Sequence, residues 1–296
     1  MIPFIRWRNV WFIFSGFLIL GSLVAVIIFG LKPGIDFTGG SLLEVQFRDS
    51  RPTIDQMEKI ISPLSLGAVV LQPSGDKNII IRSKFLTEDQ HQAILKTLSS
   101  PAVIEERFEA IGPSVSAQLR QRSIGAVIAV VLGMMFFIAY AFRKVSRPVA
   151  SWKYGATAIV ALVHDIAITT GLFAFLGHFL GVEVNVPFVV ALLTVMGYSV
   201  HDTIVVFDRI RENLIKRGSE NFDETVNLAI NQTLARSVNT SMTVLLVLAA
   251  MFLFGGETIH YFTLALIVGI LAGTYSSIFV ASPILVVWEA WRRRKM

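Results

Sequence analysis

The stretch GYSVHDTIVVFDRIREN, residues 197–213, decides how the rest of the chain is read. It sets an ionisable pair, His201 and Asp202, in the second half of an apolar run that begins near Pro187. Apart from that pair, everything from Pro187 to Phe207 is compatible with lipid. A carboxylate at that depth costs on the order of several kcal/mol unless it is paired, so it marks a functional site and raises the question of its partner.

Working outward, 54% of the 296 residues are apolar and the mean hydropathy is +0.65. That exceeds the ordinary soluble domain, where about half is the upper end. Runs approaching or exceeding the roughly 20 residues that cross a bilayer occur at 10–31, 123–142, 154–176, 186–207, 237–254 and 261–288. The expectation is an α-helical polytopic membrane protein with six transmembrane helices. The first run is longer than a secretory h-region and no A-x-A-like site follows it, so it reads as a retained span.

Lys and Arg in the short connections give the orientation. Arg6 and Arg8 precede the first span; Arg143, Lys144, Arg147 and Lys153 separate the second and third; Arg209, Arg211, Lys216 and Arg217 follow the fourth; the chain closes on bases at 292–295. Connections 177–185 and 255–260 carry no Lys or Arg. Both termini are therefore expected in the cytoplasm. The net charge of +5 is spread over membrane-proximal patches and reads as topology, not as a nucleic-acid footprint. The absence of cysteine fits an extracytoplasmic domain without disulfides but decides little.

Between the first two spans, residues 32–122 form a polar insert with eleven bases and eleven acids. Its pattern predicts strand 42–48, helix 53–61, strand 67–71, strand 78–83, helix 87–98 and strand 103–111. That β-α-β-β-α-β order is the ferredoxin-like split unit, so one inserted α+β extracytoplasmic domain is expected. SGDKN, residues 74–78, supplies the hairpin turn; Thr53 and Thr87 stand as N-caps with acids two or three residues on. The domain division is then 1–31, 32–122 and 123–296, the last with a cytoplasmic connection at 208–236 and a basic tail.

GIDFTGG (34–40) leads into the insert and GPSVSAQL (112–119) leads out. The first reads either as a loop whose glycines permit positive φ and whose Asp36 caps local amides, or, with Gly39, Gly40, Gly112 and Pro113, as a hinge. Gly125, Ala129 and Gly133 in the second span, and Gly269, Gly273, Ser277 and Ala281 in the sixth, form four-residue stripes that let helices approach closely. Packing within the chain is the favoured use of both, a partner's helix the other.

The third span carries a second His-Asp pair, His164 and Asp165. At a rise of about 1.5 Å per residue, Asp202 lies about 9 Å from the level of Asp208, and Asp165 about 16 Å from Tyr154. Asp165 reads either as a hydrogen-bonded packing residue or as a second functional acid. Residues 208–235 read as a cytoplasmic segment with a turn at KRGSEN (216–221) and, beyond it, a partly amphipathic helix around Phe222, Val226, Leu228, Ala229 and Ile230 that could lie along the membrane surface, with Asp208 and Arg211 as solvated charges. The fifth run, 237–254, is short by about two residues. Extending it backward brings Arg236 into the membrane near the height of Asp202, either as its ion partner or as a snorkelling interface residue.

GIDFTGG, GPSVSAQL, VHDIAIT, GYSVHDTIVVFDRIREN, QTLARSVNTS and FLFGG together resemble the SecD/SecF family of bacterial protein-export proteins, and more closely its SecF side. The resemblance covers nearly the whole chain. It implies the resistance-nodulation-division architecture of proton-driven machines, an inner-membrane location and no cofactor beyond the proton as coupling ion. It also implies SecD, the SecY translocon and preprotein substrates as partners, with YajC-like and YidC-like membrane proteins as further candidates. By motif, Asp202 matches the family's protonatable acid, Arg236 the charged residue of QTLAR, and Asp165, with His164, the less certain third-span acid. His201 stands where Asn is familiar in some relatives; an imidazole there would either tune Asp202 or replace a hydrogen bond.

Two other classes are open to such a chain: half of a small-molecule or lipid exporter, or a scaffold that uses no energy. An enzyme is not expected, since there is no Walker A loop, H-E-x-x-H or cysteine metal set. His91, His178 and His260 read as exposed or interfacial and without a role.

Overall fold

The computed structural model describes residues 1–98, 103–141, 151–217 and 221–293. Arg143, Lys144, Arg147, Arg294, Lys295 and part of the turn expected at KRGSEN lie outside the described residues. The chain divides into two compact units, Pro33–Ile124 and the combination of Met1–Lys32 with Gly125–Met296.

The first unit opens on a four-residue helix α2, Ile35–Thr38, preceded in the chain by α1, Arg8–Phe29. There follow β1 (Gly40–Phe47), α3 (Ile54–Ile61), β2 (Val70–Ser74), β3 (Asn78–Ser83), α4 (Glu88–Leu98) and β4 (Val103–Ile111). The strands form one sheet in the order β2-β3-β1-β4 with every neighbouring pair antiparallel, the arrangement a split β-α-β-β-α-β unit gives. Alternation along β1 sends Leu43, Val45 and Phe47 into a core with Ile79, Ile81, Met57, Ile61, Ile94 and Leu98. Each such side chain stabilises the unit by roughly 1.5–3 kcal/mol on burial.

Thr53 caps α3 through a capping box, but Gln56 closes it. Gln90 answers Thr87 in the same way. The acids two or three residues on are therefore not the capping groups, because the N3 position, which alone reaches the N-cap amide, is Gln in both helices. The strand expected at 67–71 runs instead from Val70 to Ser74, since Gly67 takes a positive φ of 80° that a strand does not accommodate. His91 is not an idle surface residue: it is buried, stacked on Phe108 with ring centroids 3.7 Å apart and flanked by Glu88 and Glu105 at 3.4 Å each. Its place on the inner face of α4 explains this.

The second unit holds five more long apolar segments besides α1. These are α5 (Pro113–Ala141), whose later part lies here, α6 (Ser151–Leu180), α7 (Val186–Arg217), α8 (Phe222–Phe254), and a last segment of α9 (Glu257–Ser276), a π-helical turn at Ser277–Ala281 and α10 (Ser282–Arg293). Among the described residues, six helices are thus long and apolar enough to cross a membrane. The N-terminal turn and α10 meet at one pole, where Phe4, Ile5, Tyr154, Ile210, Leu214, Phe222, Ile230 and Leu285 share a buried cluster. This pole also carries Arg6, Arg8, Lys153, Arg209 and Arg292.

The amphipathic helix expected to lie on the surface is instead the first third of α8. No Gly or Pro interrupts 222–254, so the helix runs unbroken, and its apolar stripe (Phe222, Val226, Ala229, Ile230) packs in that polar-end cluster. The fifth span is consequently not short. Above the apolar core α7 and α8 continue as a hairpin, fixed by Gln232, whose Oε1 accepts from Arg209 Nε at 2.7 Å and from Asn213 Nδ2 at 2.9 Å.

The two small-residue stripes part company. A Cβ on Gly269 would stand 2.2 Å from Val195 Cγ2, and one on Gly273 would stand 3.0 Å from Ser199 Cβ, so the sixth-span stripe is where α7 presses on α9. On α5, by contrast, a Cβ on Gly125 or Gly133 meets nothing within 4 Å, so packing against the described residues does not account for that stripe. The reason is geometric: α5 touches the described bundle on another face, through Val130, Val131, Met134 and Ile138, and only 6% of its apolar window is buried.

Candidate functional site

Because α7 and α9 meet through small residues, hydroxyls come within reach of two acids. Asp165 on α6 is fully buried. Its Oδ1 lies 2.9 Å from His164 Nδ1, and its Oδ2 accepts from Ser199 Oγ of α7 at 2.5 Å and from Ser276 Oγ of α9 at 2.8 Å. Three helices converge on one carboxylate. His164 is buried as well, and its Nε2 has no hydrogen-bond partner among the described residues.

Asp202 on α7 is 6% exposed. Its Oδ1 accepts from Ser237 Oγ of α8 at 2.6 Å, while Oδ2 is buried with no hydrogen-bond partner among the described residues. The neighbouring Thr203 hydroxyl bonds Ser277 at 2.9 Å. One turn along α8, Ser241 bonds Thr274 at 2.6 Å and receives Tyr198 OH at 3.0 Å. A hydroxyl seam thus runs through the bundle beside both acids, and hydroxyls can serve as donor or acceptor by rotating. It crosses α9 at Ser276 and Ser277, where the π-helical turn begins; such turns recur at functional sites.

Arg236 is exposed, and the structure does not bring it to Asp202. Ser237, the next residue of α8, holds that position, because one step along a helix turns the side chain by about 100°. His201 is exposed too. Asp208 and Arg211 pair at 2.9 Å on a largely exposed surface. Among the described residues no three His, Asp or Glu side chains are grouped to hold a metal.

Of the hinge candidates, Gly39 and Gly40 have φ of +72° and +127°. A Cβ on Gly40 would fall 2.6 Å from Ser83 O, and one on Gly39 3.1 Å from Ser116 Oγ. Ser116 N and Oγ in turn donate to the carbonyls of Gly112 and Pro113. The strands of chain that enter and leave the first unit are therefore stitched side by side, with Asp36 half-buried in the first turn of α2.

Sequence reasoning missed Ser199, Ser237 and Ser276, and read Ser277 only as a packing residue of the sixth-span stripe. Their i, i+4 spacing with other small residues was visible, but a helical Ser or Thr commonly bonds the carbonyl four residues back, as Thr157, Thr169 and Thr233 do here.

This arrangement has counterparts. A family model described as "Protein export membrane protein SecD/SecF, C-terminal" matches residues 90–291, and one for the SecD/SecF GG motif matches 24–50. The chain belongs to the SecD/SecF family. Within it, the chain is 43% identical to the protein translocase subunit SecF of Thermobaculum terrenum over 304 residues, covering 98% of this chain and 94% of that one. It is 38% identical to the SecF subunit of Anaerolinea thermophila, covering 96% and 94%. A crystal structure of SecDF, a translocon-associated membrane protein from Thermus thermophilus, superposes with a TM-score of 0.84 at 30% identity over 99% of this chain and 39% of that chain. A structure of SecDF in a super-membrane-facing form gives 0.71 at 28% identity, again over 99% and 39%. The chain thus spans about two fifths of the SecDF chains. As a SecF-type member of the family it is a multi-pass membrane protein of protein transport rather than an enzyme.

Proposed function

We propose that this chain is the SecF-type half of a SecDF export machine that, with SecD and the SecY translocon, draws preproteins across the cytoplasmic membrane on the proton gradient. The observation that carries the proposal is Asp202: a buried carboxyl with one oxygen bonded to Ser237 and the other without a hydrogen-bond partner among the described residues. An unpaired buried carboxylate is unfavourable and is relieved either by a proton or by a cation. Both remedies lie close by. The open oxygen can take a proton, and Arg236 stands one residue from Ser237, so that a rotation of α8 by about 100° would exchange hydroxyl for guanidinium.

In this reading the serine-bonded state is the protonated one, and the arginine-paired state is reached when the proton leaves. At about 2.3 kcal/mol per charge per 100 mV, one proton supplies enough to shift an ordinary two-state equilibrium. The Gly39–Gly40 and Gly112–Pro113 crossings serve as the hinge for the 32–122 domain, and the orientation places both termini in the cytoplasm by the positive-inside bias. SecD seats on the exposed apolar faces of α1 and α5; YajC-like and YidC-like proteins are further partners.

The test is export of a preprotein into inverted vesicles holding the chain and SecD at matched levels, with and without a proton gradient. Asp202→Asn is expected to abolish the gradient-dependent part and leave the ATP-driven part intact. Full gradient-dependent export by that variant would overturn proton coupling at Asp202 and favour a scaffold.

A further inference from the structure

Among the residues of α1, only Ser15 is buried. Its hydroxyl lies 3.0 Å from the hydroxyl of Tyr275 on α9, which also donates to Trp11 O at 3.3 Å. A phenol has one proton, so Ser15 is the donor to Tyr275. The same tyrosine ring stacks on His164, centroids 5.9 Å apart and 23° between planes. Tyr275 also immediately precedes Ser276 and Ser277, the two hydroxyls that serve Asp165 and Thr203. Phe279 stacks on Tyr275 at 5.0 Å and meets Trp11 at a tilt of 50° with centroids 4.4 Å apart, and Phe14 meets Tyr275 edge-on at 5.7 Å.

We infer that Tyr275 is a positioning residue that passes a rearrangement of the buried His164–Asp165 pair to α1, the helix that leads directly into the 32–122 domain. The inference rests on the proton-coupled reading given above. His164 is oriented by its bond to Asp165, so a change of charge on the pair changes the attraction of the imidazole for the π face above it. The groups around the pair are few. Asp165 and Tyr275 are the titratable ones in contact; α7 offers Ser199, α9 offers Ser276, and α1 offers Ser15 and Trp11 beyond the tyrosine. The ring cannot shift without moving its hydroxyl, and that hydroxyl grips the middle of α1 at Ser15 and Trp11, while Arg8 at the start of the helix is held separately by Asp223.

Spatial intermediacy alone does not establish coupling, whereas a double-mutant cycle does. In the vesicle assay, Tyr275→Phe and Ser15→Ala are each expected to lower gradient-dependent export about 5-fold at unchanged membrane level and unchanged gradient-independent export. The double variant should be no worse than either alone, and Ser15→Thr, which keeps the hydroxyl, should match wild type. Wild-type export by either single variant, multiplied losses in the double variant, or failure of Ser15→Thr to retain function would each overturn the inference. Asp202→Asn run alongside separates the two claims: if it has lost gradient-dependent export while Tyr275→Phe has not, the tyrosine link alone falls. If Asp202→Asn exports as wild type, the proton reading beneath it falls.

Discussion

Ser237 donates to Asp202 at 2.6 Å, while the residue before it, Arg236, is exposed. Two remedies for one buried carboxyl therefore sit on successive positions of a single helix. The two variants that remove them should differ. Ser237→Ala strips the bonded oxygen of its donor without adding charge, and a hydrogen bond to a neutral carboxyl contributes about 0.5–1.5 kcal/mol. Gradient-dependent export is expected to fall about fivefold. Arg236→Lys keeps the charge but not the planar fork and should retain part of the activity that Arg236→Ala loses. Equal export by Ser237→Ala and wild type would show that Asp202 does not use the hydroxyl.

The close approach of α7 and α9 makes a second prediction. A Cβ at position 269 collides with Val195, and overpacking of this kind costs about 1–3 kcal/mol. Gly269→Ala should lower the melting temperature in detergent, and Val195→Ala should recover most of the loss in the double variant. A Gly269→Ala protein as stable as wild type would mean that the helices separate at no cost and that the hydroxyl seam is not held by this contact.

Much of this was legible in the sequence, for identifiable reasons. The strands and helices of 32–122 follow from alternation in LLEVQF and from the capping residues Thr53 and Thr87, which act locally. The six spans follow from length and composition. Asp202 and Asp165 stood out because charge in lipid is rare. What was not legible depended on rotation about helix axes. Whether Arg236 or Ser237 faces Asp202 is a matter of 100°, and which of many helical serines leaves its own carbonyl for a neighbouring helix is decided by contacts such as Gly269 with Val195. The continuous course of α8 was hidden by the polarity of 222–236, which resembles a surface helix until the hairpin with α7 is seen.

The 32–122 domain carries its own pH signature at Glu88. Its carboxyl is held below the usual carboxylate range, chiefly by the hydrogen bond from Gln92 at 2.7 Å, against the opposing effect of burial and with further lowering by His91. A folded value below the unfolded one gives stability that is present above the ordinary Glu value of about 4.3 and is lost as pH falls through the lower folded value. The thermal transition of this domain in the full chain should therefore drop more steeply in wild type than in Glu88→Gln below about pH 4.3. Parallel slopes would assign the acid sensitivity to other carboxylates.

The N-terminal turn supplies the last prediction. Asn231 both accepts from Ile2 N and donates to Ile2 O at 2.9 Å, while Asn227 accepts from Ile5 N at 3.3 Å and donates to Ile2 O at 3.1 Å. Two asparagines one turn apart on α8 thus grip the backbone ahead of α1, and Phe4 and Ile5 are buried beneath. Neutral hydrogen bonds contribute about 1 kcal/mol each, so the double variant Asn227→Ala/Asn231→Ala should raise amide exchange at Ile2, Phe4 and Ile5 by about tenfold or more, with exchange in the middle of α7 unchanged. If exchange at these amides does not rise, the apolar anchors Phe4 and Ile5 alone hold the segment, and the asparagines do no more than satisfy its backbone.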